Sequence, residues 1–289
     1  MDLQKRIDRG LERAITFATA GGQPAKIGAA MRHAVFPGGA RVRPRLCLAV
    51  ALASGDRHPE AADAAAAAIE LLHCASLVHD DLPCFDDADI RRGKPSVHAA
   101  YGEPIAVLTG DALIVLAFET LARECSAAPD RTAPLIATIA RAVGMPNGIT
   151  AGQAWESEPE IDLRHYHRSK TGALFTGATA AGAIAAGADP QNWYALGEAL
   201  GAAYQVADDL RDSAADIDEI GKPCGQDAAH QRPNAVAELG LTGAISLLQE
   251  TVQNAADAIP ECKGSSMLRD LILAEAKRLV PKKLAQSAA

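Results

Sequence analysis

The chain has 289 residues, 48% of them hydrophobic and 22% charged, so it can bury a large core and is not a disordered polymer. Its 28 basic and 36 acidic residues leave a net charge of −8, which argues against a nucleic-acid surface or a polybasic membrane anchor. Its six cysteines form no C-x-x-C pair, which gives zinc and dithiol chemistry little support and fits a reduced, cytoplasmic protein.

Taken in chain order, the helical period dominates and strand alternation is scarce. The pattern predicts helices over 3–20, 25–35, 41–54, 59–82, 95–101, 104–127, 131–144, 163–187, 190–215, 234–239, 241–258 and 265–280, with strands minor at most. Gly21-Gly22, Gly55, Gly221 and Gly240 read as ends or turns, and Asp189-Pro190 as an N-cap followed by a first helical residue. No low-complexity linker divides the chain. The expectation is one all-α domain, 1–289. The N-terminus is charged and amphipathic rather than a leader, and the apolar run 61–78 carries Asp63, Glu70 and His73, which makes it a poor membrane span. Alanine and glycine at 64–68 and 177–187 allow close helix approach.

Two acidic clusters end long apolar patterns: Asp80-Asp81-Leu82-Pro83-Cys84-Phe85-Asp86-Asp87 and Asp208-Asp209-Leu210-Arg211-Asp212. A carboxylate beside apolar surface suffers desolvation and like-charge repulsion unless a cation is present. Ile69, His73, Ser76 and Asp80 fall on one helix face at spacings of four, three and four. Pro83 then disturbs the helix. Asp208 and Asp212, four apart, also share a face. Magnesium suits such groups, because it takes carboxylate oxygens and keeps waters that substrate phosphates can replace. Arg91 and Arg92 follow the first cluster; their guanidinium forks can neutralise the acids or hold a diphosphate. Arg41, Arg43 and Arg45 after Gly38-Gly39 suit a second anion. Opposed clusters would thus hold metal against the diphosphate of a greasy substrate.

These residues, in this order, resemble the trans-prenyl diphosphate synthase (polyprenyl synthetase) family. The matching pieces are Gly38-Gly39-Ala40-Arg41-Val42-Arg43-Pro44, His73, His79 to Asp86, Arg91-Arg92-Gly93, Gly110-Asp111, Gly152-Gln153, Lys170-Thr171, Gln205 with Asp208 to Asp212, and Gly221-Lys222. The run looks most like bacterial geranylgeranyl diphosphate synthases of carotenoid or bacteriochlorophyll pathways.

The resemblance implies a homodimer of all-α subunits, each a helical bundle around a central cavity, and three Mg²⁺ ions. It implies that Asp80 and Asp86, with Asp81 near, hold two ions on the allylic diphosphate, and that Asp208, supported by Asp209 and Asp212, holds the third. Arg91, Lys170 and Lys222 would grip the allylic diphosphate, with Thr171 and Gln205 close to the reacting carbons. Arg43, Arg92 and His73 would bind isopentenyl diphosphate. The family's usual lysine is Ala40 here, leaving Arg41 or Arg45 as replacement cations; failing those, affinity for isopentenyl diphosphate should be weaker. Product length is expected to follow Ala75 and Ser76, five and four places before the first aspartate. Alanine in place of an aromatic residue favours the twenty-carbon product over the fifteen-carbon farnesyl diphosphate.

Three other readings compete. A metal phosphohydrolase starting from His79-Asp80 leaves the Asp208 cluster idle. A non-catalytic subunit would lose one aspartate motif, and both are intact. A terpene cyclase has no use for Arg43. His33, His58, His98, His165, His167 and His230 read as surface or cap residues, His79 as orienting a neighbour, and Trp155 and Trp193 as packing residues.

Overall fold

The computed structural model describes residues 2–22, 24–36, 38–160, 162–214 and 234–279. Helices α1 (Leu3–Ala18), α2 (Ala25–Val35), α3 (Val42–Ala53) and α4 (Pro59–Asp80) come first. A two-stranded pair, β1 (Ile90–Arg91) and β2 (Lys94–Pro95), separates them from α5 (Val97–Tyr101), α6 (Glu103–Glu124), α7 (Pro129–Val143), α8 (Ile149–Trp155) and α9 (Leu163–His167). A π-helical segment, Arg168–Gly172, leads into α10 (Ala173–Ala186). A 3-10 turn, Pro190–Trp193, then opens α11 (Tyr194–Ala214), and α12 (Ala235–Asp257) and α13 (Ser265–Leu279) close the described chain.

The all-α expectation holds. Helix α1 is capped by the Asp2 side chain, which accepts from Lys5 N at 3.2 Å, and it buries Ile7, Leu11, Ala14 and Ile15 along one face. Arg6 on the same face is buried and donates to Asp56 and Asp63, tying α1 to the start of α4. Helix α4 starts with Pro59 and runs through the middle of the molecule against α1, α2, α3, α6, α7 and α10. Its alanines 64–68 are all buried, so the neighbouring helices come close.

Three differences from the predicted elements have local causes. Helix α8 was not foreseen; it is only seven residues long and carries too few apolar positions for a period. The continuous 163–187 pattern is interrupted by the π-helical segment, a feature that apolar spacing does not encode. The span 190–215 opens as a 3-10 turn capped by Asp189, which accepts from Gln191 N at 3.0 Å. The predicted break at Gly240 is present, with φ 68° and ψ 169°, inside what is otherwise one rod.

Among the described residues two helices are long and apolar enough to cross a membrane by composition: α4, whose most apolar window is 78% buried, and α6, whose window is only 44% buried. The first is a core helix. The second leaves Val107, Leu108 and Val115 exposed.

Candidate active site

The site forms where α4 ends. Beyond Asp80 the chain folds back on the helix: Asp86 N donates to Asp80 O at 2.9 Å and Ala88 N to Asp81 O at 3.1 Å. This places Asp86 beside Asp80. Burial pushes the Asp80 carboxyl up to about 6, with Lys170 opposing the shift and the charge of Asp86 adding to it. Asp81 takes the inward direction and is buried. It accepts from Arg91 Nε at 2.9 Å and Arg91 in turn is held by it, while burial still raises its pKa. The next two residues make a tight hairpin turn. Arg92 at φ 53° and Gly93 at φ 73° adopt the left-handed pair that matches strand twist.

Arg92 turns back and donates to Gly38 O at 2.5 Å. There it meets Arg43, which stacks over the Phe175 ring at 4.6 Å and approaches His73 Nε2 at 3.5 Å. Phe175 in turn lies 4.6 Å from Tyr204, centroid to centroid. Arg43 Nε is shielded from solvent and has no hydrogen-bond partner among the described residues. Burial lowers the Arg43 pKa and, with the charges of Arg43 and Arg92, holds His73 well below the usual imidazole range. A neutral histidine beside buried guanidinium groups is a pole built for an anion.

Arg41 and Arg45 do not replace the lysine missing at position 40. Arg41 and Glu70 form a buried ion pair, each side chain 2% exposed, and Arg41 also donates to Val35 O. Arg45 pairs with Glu275 on α13 at 2.8 Å. Both charges are spent inside the fold. Arg41 sits at φ 48°, so two strained arginines, Arg41 and Arg92, flank the Gly38-Gly39 loop, as strained backbone at functional sites often does.

The wall opposite Asp80 comes from the π-helical segment. Lys170 Nζ lies 2.5 Å from Glu156 Oε1, and Asp80 feels both charges. Helix α8 reaches this segment only because residue 152 is glycine: a Cβ there would stand 2.4 Å from Lys170 N. Thr171 Oγ1 donates to Gln205 Oε1 at 3.0 Å, and Gln205 Nε2 donates to Asp209 Oδ1 at 3.0 Å, linking the segment to α11. Asp209 is buried, and its other oxygen accepts from Ala235 N at 2.9 Å, the start of α12. Asp208, 52% exposed, pairs with Arg211 in its own helix and contributes to the field at Arg43. The acidic end of α11 and the cationic pole are therefore electrostatic neighbours.

His79 packs into the space left by Gly110, where a Cβ would lie 2.0 Å from its Nε2, and it lies 3.3 Å from Val107 O. It packs from α4 against α6, where its Nε2 also lies 3.8 Å from Asp111 Oδ1. Ser76 stands half-buried on the stripe with His73 and Asp80, whereas Ala75 is 1% exposed and belongs to the core. Trp193 is buried, as expected of a packing residue, and Trp155 stacks on His165 at 6.3 Å. Lys222, Gly221 and His230 lie outside the described residues, as does the side chain of Asp212. A groove of about 1110 Å³ between α7, the π-helical segment, α10, α11 and α12 is lined by Gln205 and Asp209 but by neither Asp80 nor Arg43. The charged site is thus set by converging side chains rather than by that groove. Two members were invisible in the sequence. Glu156 and Tyr166 lie on unforeseen or interrupted helices and follow no motif. Glu70 did leave a signal, as an acid inside an apolar run that needs a partner.

The polyprenyl synthetase family profile matches residues 24–264. The chain belongs to the polyprenyl synthetase family. It is 53% identical over 285 residues to a geranylgeranyl diphosphate synthase of Cereibacter sphaeroides, covering 99% of each chain. Among solved structures it resembles an FPP/GFPP synthase of Zymomonas mobilis, with TM-score 0.78, 31% identity and coverage of 95% and 98% of the two chains. It also resembles the geranyltransferase of Helicobacter pylori complexed with magnesium and isoprenyl diphosphate, with TM-score 0.78, 28% identity and coverage of 96% and 98%. Membership fits the site: a family of diphosphate-handling bundles needs acidic and cationic poles at one end of its central helix.

Proposed function

We propose that the chain is a geranylgeranyl diphosphate synthase, a transferase that adds isopentenyl diphosphate to allylic diphosphates of five to fifteen carbons. The observation that carries this reading is the pairing of two unlike poles at the top of α4. The carboxylates of Asp80 and Asp86 stand on one side, and Arg43, Arg92 and neutral His73 on the other. One pole suits a metal-bound diphosphate and the other a bare one.

Among the described residues no three His, Cys, Asp or Glu side chains close a cage of their own. That fits magnesium, which is commonly held by one or two carboxylates together with substrate phosphates and water. Asp80 and Asp86 would hold it with Asp81 behind them, and Asp208 and Asp212 would serve from α11; three ions in all is our expectation. When bound, the ions supply Lewis-acid stabilisation of the departing diphosphate. Arg91, Lys170 and Lys222 add charge to the same leaving group. Arg43, Arg92 and His73 hold the isopentenyl diphosphate in line. Thr171 and Gln205, locked to each other, border the reacting carbons, and the apolar wall of α4 keeps water from the developing allylic cation.

Ala75 and Ser76 stand below this site on α4, and small side chains there favour the twenty-carbon product. Purified protein supplied with isopentenyl diphosphate and, in turn, dimethylallyl, geranyl and farnesyl diphosphates should give geranylgeranyl diphosphate, with no turnover after chelation. Ala75→Phe and Ser76→Phe should each shift the dephosphorylated product toward fifteen carbons on chromatography. Twenty-carbon product from both variants would place the floor elsewhere, and turnover without divalent metal would remove the mechanism.

The exposed stripe of Val107, Leu108 and Val115 on α6 supports a homodimer in which a second copy covers it. Leu108→Glu should convert the dimer to monomer in sedimentation velocity; an unchanged sedimentation coefficient would put the interface on another face. The five described cysteines are unpaired, in keeping with a cytoplasmic setting.

A further inference from the structure

Glu156 is the residue that this site holds most firmly without an assigned task. Its Oε1 accepts the Tyr166 hydroxyl at 2.6 Å and lies 2.5 Å from Lys170 Nζ. Its Oε2 accepts Gln153 Nε2 at 3.2 Å. Tyr166 is buried, and its ring lies 5.7 Å from the same ammonium. Three donors from three short elements, α8, α9 and the π-helical segment, therefore converge on one carboxylate.

An ammonium carries three protons on a rotating, four-carbon stem. Left alone in a cavity mouth it samples many rotamers, and ordering it on a ligand costs affinity. A fixed carboxylate takes one proton and leaves the other two directed away from it. The charge of Lys170 acts on Asp80, so the ammonium lies near the acidic pole with two of its protons not taken by Glu156. Glu156 can do this only while its own rotamer is fixed, and the buried Tyr166 hydroxyl fixes it.

We propose that Tyr166 and Glu156 are positioning residues: Tyr166 locks Glu156, and Glu156 aims the Lys170 ammonium at the allylic diphosphate before it arrives. This rests on the assignment of Lys170 to that diphosphate. The dependence runs in one direction. Tyr166 acts through Glu156 and Glu156 through Lys170, so their losses overlap rather than add.

The test is steady-state kinetics on Tyr166→Phe, Glu156→Gln, the double variant and Lys170→Ala, each checked for an unchanged thermal midpoint. Phenylalanine keeps the ring and removes only the hydroxyl. Tyr166→Phe should raise KM for farnesyl diphosphate about fivefold, the worth of one buried hydrogen bond, and leave KM for isopentenyl diphosphate within about twofold. Glu156→Gln should raise the same allylic KM further, and adding Tyr166→Phe to it should change nothing more. Losses that multiply in the double variant, an unchanged allylic KM in Tyr166→Phe, or an equal rise in both KM values would overturn the proposal. If Lys170→Ala itself keeps the wild-type allylic KM, the assignment of Lys170 fails, whereas a raised KM in Lys170→Ala beside a normal Tyr166→Phe sinks only the positioning role.

Discussion

The two Asp-Asp pairs, Asp80-Asp81 and Asp208-Asp209, divide their labour in the same way by different means. In each pair the second acid is buried and the first is the more exposed of the two. Asp81 is satisfied by a charge, the Arg91 guanidinium delivered by a hairpin ten residues on. Asp209 is satisfied by neutral donors, the Gln205 amide and the Ala235 backbone N–H. The outer acids differ as well. Asp80 sits in a partly desolvated corner beside Asp86, and Asp208 stands in solvent with Arg211 one helical turn away. A repeated dipeptide thus gives a more exposed acid and a buried strut at each end, and the proposed function assigns the metal to the more exposed one. The helical step of about 100° between successive residues makes that separation unavoidable.

The largest effect should come from separating ligand from strut in the first pair. Asp80→Asn removes a charge that only the filled site needs, so kcat should fall by about 10²–10³-fold with no loss of thermal stability in the metal-free protein. Asp81→Asn removes the hydrogen-bonded partner of the partly buried Arg91 guanidinium and leaves only the charges of Asp80 and Asp86 near it, which should cost about 1.5–3 kcal/mol of stability. Denaturant unfolding alongside kinetics measures both. Equal destabilisation by the two variants would erase the distinction.

The second pair should repeat the pattern at lower amplitude. Asp209→Ala loses two hydrogen bonds, orphans the Gln205 amide and leaves the first backbone N–H of α12 without its carboxylate while the Asn234 cap remains, for about 1–3 kcal/mol. Asp208→Ala breaks an exposed pair within one helix, so it should change stability by less than about 0.5 kcal/mol while depressing turnover. A stability loss at Asp208 as large as that at Asp209 would mean that α11 does not present its acids as inner strut and outer ligand.

What the sequence disclosed follows from the reach of each signal. Helical period, proline and glycine punctuation, and acids ending apolar runs are local. They placed most helices, the break at Gly240, the cap at Asp189 and both acidic clusters. The division of each Asp-Asp pair is not local, because it depends on what faces the helix: Arg91 for one and the start of α12 for the other. The same limit explains Arg41 and Arg45. Both looked like free cations in a basic turn, yet Glu70 and Glu275 from distant helices consume them. The π-helical segment and α8, which aim Lys170, have no periodic trace at all. A sequence names charges well and their partners poorly, since pairing across a bundle is set by packing.

The smallest effect tests the cationic pole against the acidic one through pH. His73 is held neutral by burial and by Arg43 and Arg92, with a folded pKa well below 6.5. In the unfolded chain it titrates near 6.5. Below that pH the unfolded state binds the extra proton and the folded state does not, so this group's contribution to stability is complete above 6.5 and is lost as pH falls from there toward the folded pKa. The slope is at most about 1.4 kcal/mol per pH unit, the limit for one proton. His73→Asn should flatten the acid limb of a plot of unfolding free energy against pH, most visibly between about pH 6.5 and 5, while the neutral limb keeps its shape. An identical acid limb in the variant would mean that His73 titrates in the folded protein as it does in the unfolded chain. The anion pole would then gain a positive charge below about pH 6.5, which the burial beside Arg43 and Arg92 argues against.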